Sequence, residues 1–195
     1  MNFEIERRKK EIFLVCKHEA GHCIMAKELG FKTNGIIVKI TKNGHKASAG
    51  ITILNQGIDN IEKTKEFLEK RIKVLYAGGI AESLNSSGEL NEQHFAKVWE
   101  EGGGHIDHAN IRELVRLLRD LVYPNTTDDD QANKELKELD DRFINEAGKI
   151  VSERIQIIEG IAQQITERIK ELNIQYDFTE EDLNKIKSIR DLYGS

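Results

Sequence analysis

The 195-residue chain carries a formal net charge of −5, with 38% hydrophobic and 32% charged residues. This length and balance are typical of one helix-rich globular domain that is large enough to bury its own core. The lack of a basic stripe argues against binding to DNA or RNA. No apolar run reaches the ~20 residues needed to span a bilayer. The charged N-terminal segment lacks the apolar core of a signal peptide.

The first predicted helix, over residues 4–29, contains the sequence HEAGH at residues 18–22. His18 and His22 are four residues apart, so their imidazoles lie one above the other on one helix face and can bind a single metal ion. Glu19 points about 100° away around the helix, where its carboxylate can hold a water molecule instead of the metal. This pattern predicts one bound zinc ion with His18 and His22 as ligands, and peptide-bond hydrolysis with Glu19 as general base.

The competing interpretation is a solvent-facing helix that carries two histidines without a function. The helix context favours the metal site, because the segment lacks proline, carries apolar residues such as Ile12 and Met25, and ends at Gly30, a good C-cap residue. Gly21 in mid-helix costs about 1 kcal/mol relative to alanine. Such a glycine indicates that another backbone or a ligand approaches closely.

Cys16 and Cys23 are seven residues apart on the same predicted helix. This spacing places them about 10 Å apart along the helix axis, which is beyond the reach of a disulfide. We therefore expect free thiols in a reducing compartment and a cytoplasmic protein. Both are interpreted as small core residues, and Cys23 as a metal ligand is the minor alternative.

A small sheet and a second long helix are predicted next. The β-branched runs 35–41 and 50–54 flank an Asn-Gly dipeptide at 43–44, a hairpin signal within a connection that is longer than two residues. Apolar residues then recur at helical spacing over residues 59–84. The paired glycines at 78–79 indicate close packing near the end of that helix.

The C-terminal half is predicted to be helical, with a polar, glycine-rich loop over residues 85–104. Four segments carry helical patterns: 95–99, 106–122, a long stretch from about 132 to 172, and a short helix opened by a capping box at 179–182. The predicted fold class is mostly α with a small β-sheet (α+β). We expect one structural domain, made of a core over residues 1–125 and a C-terminal helical part over residues 126–195 that packs on it.

Zinc needs a third protein ligand besides the two histidines. The metzincin extension is absent, because Met25 and Glu28 stand where that pattern needs Gly and His. A ligand glutamate on an immediately following helix is also disfavoured, because the residues after Gly30 read as strands. Asp107 is a better candidate, since it lies in the first turn of the predicted helix 106–122, on its buried face. The alternative is that Asp107 only caps that helix and complements its dipole.

Several motifs together resemble the peptidase domain of FtsH-type ATP-dependent zinc metalloproteases. These are HEAGH, a two-strand segment, the sequence AGGIAESL at residues 77–84, and a glycine-rich turn with an aspartate that opens a helix. The resemblance covers about residues 10–190, and HEAGH and GGIAE are its specific parts. It implies an FtsH-like zinc peptidase fold, with Asp107 as the third zinc ligand beside His18 and His22.

The resemblance also implies roles for residues around the metal. Glu82 would accept a hydrogen bond from an imidazole that binds the metal. Two alternatives are that Glu82 itself binds the metal in place of Asp107, and that it is an ordinary carboxylate at the end of a helix. Gly50, Ile51 and Thr52 match a Gly-x-Thr of the family's sheet, where substrate would add as an extended strand. His45 and His94 are interpreted as surface residues. His105 and His108 flank Asp107 and are interpreted as solvent-facing, with stabilisation of the oxyanion as the alternative. Phe95 and Trp99 are assigned to packing, with a substrate pocket as the alternative.

The sequence departs from the family in ways that bear on partners. It has no G-x-x-x-x-G-K-[ST] phosphate loop and no transmembrane segment, so we expect a stand-alone zinc endopeptidase that acts on flexible or unfolded polypeptides. The alternatives are a non-catalytic zinc-stabilised adaptor and a subunit that works with a separate ATPase. Family members assemble as hexamers, so an oligomer is compatible with the resemblance. Iron, cobalt or manganese also suit a His/His/Asp site, with zinc the leading choice.

Overall fold

The computed structural model describes residues 3–52, 57–100 and 102–186. The elements are α1 (Phe3–Arg7), α2 (Lys9–Glu28), β1 (Lys32–Thr41), β2 (Gly44–Thr52), α3 (Ile61–Ser83), α4 (Glu92–Glu100), α5 (His105–Val122), α6 (Asp129–Arg168), β3 (Gln175–Phe178) and α7 (Glu180–Asn184).

The predicted class, mostly α with a small sheet, is confirmed. The described strands form one antiparallel sheet in the order β2-β1-β3, so that β2 lies at an edge. None of the helices in the described ranges is both long and apolar enough to cross a bilayer.

The sheet differs from the prediction in its extent. β3 is a strand that the sequence did not predict, and Phe178 at its end pairs with Ile36 of β1. The β1–β2 hairpin has a connection of two residues, not a longer one, because Thr41 pairs directly with Gly44. β2 therefore begins six residues before the predicted Gly50, since cross-strand pairing outweighs the low β propensity of its alanine, serine and lysine residues. The predicted strand residues 53–54 lie outside the described residues.

Helix bounds were predicted more closely than strand bounds. The predicted helix 4–29 is divided at Arg8 into α1 and α2, and it ends as predicted at Gly30, which has a φ of +81°. The long helix α6 ends at Arg168, before the predicted residue 172, because the chain then turns into β3. The predicted capping box at the start of α7 is confirmed, with Thr179 and Asp182 as its two members.

The motif helix α2 runs through the centre of the molecule and packs against α3. At Gly21 a Cβ atom would lie 2.6 Å from both the carbonyl oxygen of Ala77 and the Cβ of Ala81. The close backbone approach that was predicted from Gly21 is therefore confirmed. α6 packs against both helices, and its largest fully buried side chains are Phe143, Ile158, Ile161 and Ile165.

A buried lysine fixes the register of these three helices next to the motif. The Nζ atom of Lys17, which is 2% exposed, donates hydrogen bonds to the carbonyl oxygen of Leu84 and to Oε1 of Glu159, both at 2.7 Å. Burying an ammonium group is costly unless its donors are satisfied. The two bonds therefore anchor α2 between the end of α3 and the C-terminal third of α6, one residue before His18.

Both cysteines are free and buried in the core, as predicted. Burial raises the pKa of the Cys16 thiol to about 12 and that of Cys23 to about 11, from an ordinary value of 9.0. We expect neither thiol to react with Ellman's reagent in the folded protein at pH 8, because thiolate and access are both lacking. Both should react after unfolding in guanidinium chloride. Labelling of either cysteine at the rate of a free thiol, without denaturant, would contradict this prediction.

The same shifts give the fold a pH dependence on the alkaline side. A thiol with a raised pKa stabilises the folded state fully below the unfolded value, here about 9, and this contribution is lost as the pH rises toward 11–12.

Candidate metal centre

Two imidazoles from α2 form the base of the site. His18 and His22 lie on the same face of the helix, with ring centroids 4.7 Å apart and ring planes at 77°. Both residues are buried, with exposures of 5% and 7%. Their close approach follows from the four-residue spacing, which the sequence predicted.

Asp107 reaches the same point from a helix that is far away in the sequence. Its Oδ2 atom lies 3.1 Å from Nε2 of His18 and 3.2 Å from Nε2 of His22. The glycine-rich turn before α5 packs tightly against α4, because a Cβ at Gly104 would lie 2.9 Å from Cγ1 of Val98 and 3.0 Å from the Trp99 ring. The structure thus brings together the three residues that were predicted as ligands.

The opposite nitrogen of each imidazole is held by α3. His22 Nδ1 lies 2.7 Å from the carbonyl oxygen of Val74, and His18 Nδ1 lies 3.0 Å from Oε2 of Glu82. A carbonyl oxygen can only accept, so His22 Nδ1 must carry the proton and donate it to Val74. In the neutral tautomer the Nε2 lone pairs of both rings then point toward Asp107, which is the arrangement used by metal-ligating histidines.

The pKa values of His18 and Asp107 in the metal-free protein reflect how closely the imidazoles and carboxylates approach one another. Burial alone lowers the pKa of His18, but hydrogen bonds with Asp107 and Glu82 outweigh it and raise that pKa to about 10. Burial raises the pKa of Asp107, yet its bonds with the two histidines dominate and hold it well below its ordinary value. The two carboxylates therefore favour a positive charge at this point, whether a proton or a metal ion carries it.

The donor set and its spacing fit zinc. The three ligand atoms of His18, His22 and Asp107 all lie within 4.8 Å of one another, and this is the group in the described chain that could hold a metal ion. With ligand bonds of about 2.0–2.1 Å, two ligands of a tetrahedral zinc ion are about 3.3 Å apart. The observed separations of 3.1 and 3.2 Å match that value. Two histidines with one carboxylate form a set that leaves a fourth position open.

Gly78 of α3 forms the wall behind the ligand nitrogens. A Cβ atom at this position would lie 2.5 Å from Cε1 of His22 and 2.7 Å from Nε2 of His18. No side chain fits there while the imidazoles keep their positions. The paired glycines at 78–79 were predicted to mark close packing, and the structure shows that Gly78 contacts the site itself, whereas Gly79 contacts the Trp99 ring.

An open cleft of about 340 Å³ adjoins these ligands. Glu19, which is 8% exposed, lines the cleft together with His18 and His22. The facing wall comes from β2, through Ala47, Ser48, Ala49 and Ile51. The cleft therefore lies between the motif helix and an edge strand.

The predicted substrate residues contribute unequally to this cleft. Ile51 lines it, whereas a Cβ at Gly50 would point toward Asn34 and not into the cleft. The side chain of Thr52 lies outside the described part of the chain. The strand segment facing the ligands is centred on Ala47–Ala49, a few residues earlier than predicted.

The other histidines take different positions. His45 and His105 are exposed, as predicted. The prediction of a surface position is wrong for His94, which is half-buried with Nε2 3.3 Å from Oε1 of Glu82, because α4 folds back against α3. His108 is half-buried as well, with its ring centroid 5.9 Å from that of Trp99.

Sequence reasoning missed several contributors to the site, and three of them show why. The carbonyl of Val74 has no side-chain signature, and Arg71 and Ile106, which both line the cleft, carry no motif. Arg71 is seven residues before Gly78 on the predicted helix, two helical turns along the same face, which is the one signal that could have placed it beside the site.

Comparisons of the sequence with protein-family models and with curated proteins find no match. The chemistry of the site is therefore inferred from its residues and their geometry.

Proposed function

We propose that this protein is a zinc-dependent endopeptidase that hydrolyses flexible or unfolded polypeptides, with an FtsH-like peptidase fold. The observation that carries the proposal is the convergence of two imidazole nitrogens and one carboxylate oxygen beside Glu19, on the wall of an open cleft. A general base next to a His/His/carboxylate site is the arrangement of zinc hydrolases.

Each residue has a defined task in this reaction. His18 and His22 would hold one zinc ion through Nε2, and Asp107 through Oδ2. The zinc would supply a Lewis acid that brings the pKa of a water molecule near neutrality. The Glu19 carboxylate accepts a proton from the attacking water and later passes it to the departing amide nitrogen.

The residues around the ligands keep them in the reactive orientation. The carbonyl oxygen of Val74 and the carboxylate of Glu82 accept the Nδ1 protons of the two imidazoles, which fixes both rings and directs Nε2 toward the zinc. Loss of such a partner typically lowers metal affinity or activity 10- to 100-fold.

The substrate class follows from the cleft. β2 is an edge strand, so its unpaired backbone groups can bind an extended polypeptide through main-chain hydrogen bonds. A folded protein cannot offer such a strand without unfolding locally. We therefore propose unfolded or flexible segments as substrates, with a cytoplasmic location because both thiols are free.

One observation favours a second candidate, a zinc-stabilised adaptor without catalysis. The ligands come from α2 and α5, and both imidazoles are also bonded to α3, so a zinc ion would connect three helices and stabilise the fold. Such an adaptor, or a subunit that works with a separate ATPase, would retain zinc and show no hydrolysis by itself.

Metal removal tests the proposal. The purified protein is expected to contain one zinc ion per chain by elemental analysis and to cleave casein, an unstructured protein. Treatment with 1,10-phenanthroline should abolish cleavage, and an equimolar addition of zinc should restore it. Its non-chelating isomer, 1,7-phenanthroline, is the matched control. Stoichiometric zinc with a raised melting temperature but no cleavage of casein or unstructured peptides would support the adaptor instead.

A further inference from the structure

Arg71 places a positive charge in the cleft beside the metal ligands. Its side chain lines the same cleft as Glu19, His22 and Asp107, and it is half-buried. Among the described residues that line this part of the cleft, it is the one arginine or lysine. No other residue in the described chain forms a hydrogen bond or ion pair with its guanidinium.

This lack of a partner distinguishes Arg71 from other arginines with little exposed surface. The side chain of Arg8, 10% exposed, pairs with Glu11, and that of Arg119, 12% exposed, pairs with Glu135. Partial burial of a guanidinium without a carboxylate loses hydration and leaves up to five N–H donors without a protein acceptor. Burial accordingly lowers the pKa of Arg71, opposed only by the charge of Asp107. An arginine remains protonated in either case.

The position of Arg71 along α3 defines one end of the cleft. With a rise of 1.5 Å per residue, Arg71 lies about 10 Å before Gly78 and about 16 Å before Glu82 along the helix. Val74, which holds His22, is one turn from Arg71, whereas Glu82 holds His18 at the other end. The guanidinium is therefore at the His22 end, near the scissile position but not among the ligands.

The course of β2 gives the direction of a bound chain. The part of the cleft beside Glu82 is lined by His45 and Lys46, and the part beside Arg71 is lined by Ala49 and Ile51. β2 therefore runs from the Glu82 end toward the Arg71 end. A polypeptide that pairs antiparallel with this edge has its N-terminal portion near the guanidinium.

We propose, building on the proposed peptidase function, that Arg71 is a specificity-determining residue that binds a carboxylate of the polypeptide substrate. A guanidinium recognises a carboxylate through two parallel N–H···O bonds. With antiparallel pairing the carboxylate is that of an Asp or Glu side chain on the N-terminal side of the cleaved bond. With parallel pairing it is the α-carboxylate of a substrate C-terminus.

Three matched sets of unstructured peptides test this assignment on the zinc-loaded protein. One set is amidated and carries Glu at successive positions N-terminal to the cleaved bond, the second has Gln at those positions, and the third has a free C-terminus without acidic side chains. The wild type is expected to prefer a carboxylate-containing set. Arg71→Gln should lower kcat/KM for the preferred set about 10- to 100-fold, mainly through KM, and lower that for the Gln set much less. Arg71→Lys should restore part of the preference.

Arg116→Gln is the matched control, because Arg116 is exposed on α5 about 180° around the helix from Asp107. It removes the same charge and should not change the preference. A preference for Glu peptides supports a side-chain carboxylate, and one for free C-termini supports an α-carboxylate. Equal rates on all sets, or an equal loss on all sets in Arg71→Gln, would overturn the assignment.

A binding measurement separates this inference from the proposed function. In the Glu19→Gln background, fluorescence anisotropy should show tighter binding of the carboxylate peptides, and addition of Arg71→Gln should remove the difference. If the wild type cleaves no peptide, the peptidase proposal fails while this binding test still decides the role of Arg71. If cleavage occurs and binding shows no carboxylate preference, the peptidase proposal stands and the Arg71 assignment fails.

Discussion

Replacement of Glu19 by glutamine is expected to abolish casein hydrolysis while the protein retains one zinc ion per chain. Glutamine keeps the size of the side chain but cannot accept a proton from water, and a positioned general base contributes about 10²–10⁴-fold to a rate. Glu19 is absent from the three-residue ligand group, so metal binding should not need its charge. The measurement is the rate of casein cleavage at equal zinc content, with zinc determined by elemental analysis.

Glu113→Gln is a suitable control, because Glu113 is exposed on α5 and does not line the cleft. It makes the same chemical change and should leave cleavage at the wild-type rate. Cleavage by Glu19→Gln within a few-fold of the wild type would reject Glu19 as the base. Loss of zinc from the variant would instead show that Glu19 supports the site structurally.

The metal site could be predicted from sequence to the extent that its geometry is local. His18 and His22 share a helix face for any α-helix, so their spacing was sufficient. Asp107 needed more. Its place in the first turn of the predicted helix made it a candidate, but nothing in its local sequence fixes where α5 packs, and the resemblance to a known family was needed to favour a ligand over a helix cap. The structure places its Oδ2 within 3.2 Å of both imidazoles.

Features that depend on tertiary packing could not be predicted. β3 is a four-residue strand, QYDF, with little apolar pattern, and it exists because it pairs with β1 and is followed by the capping box of α7. The start of β2 was missed for a similar reason, since its pairing with β1 outweighs the composition of its own residues. The hydrogen bond from His22 to Val74 uses a main-chain carbonyl, which every residue has. Only the packing of α3 on α2 identifies it.

The packing of α3 on α2 also predicts that Gly78→Ala will abolish zinc binding and hydrolysis. In an ordinary helix this change is favourable by about 1 kcal/mol. Here the new Cβ would lie 2.5 Å from Cε1 of His22 and 2.7 Å from Nε2 of His18, so both rings must move away from Asp107. We expect zinc affinity to fall by about 100-fold or more, comparable to the larger effects of disturbed ligand orientation. Competition with a zinc-chelating dye measures this change.

Two further glycines separate steric damage at the site from damage elsewhere. Gly148→Ala on α6 has open space around its new Cβ and should leave zinc affinity unchanged, with a slight gain in stability. Gly79→Ala would press a Cβ against the Trp99 ring, 2.6 Å from Cη2, one residue along α3 from Gly78. It should lower the melting temperature, and its effect on zinc affinity should be much smaller than that of Gly78→Ala. If Gly78→Ala binds zinc as tightly as the wild type, the imidazoles do not hold the metal through the nitrogens that face Gly78, and the geometry of the proposed centre is wrong.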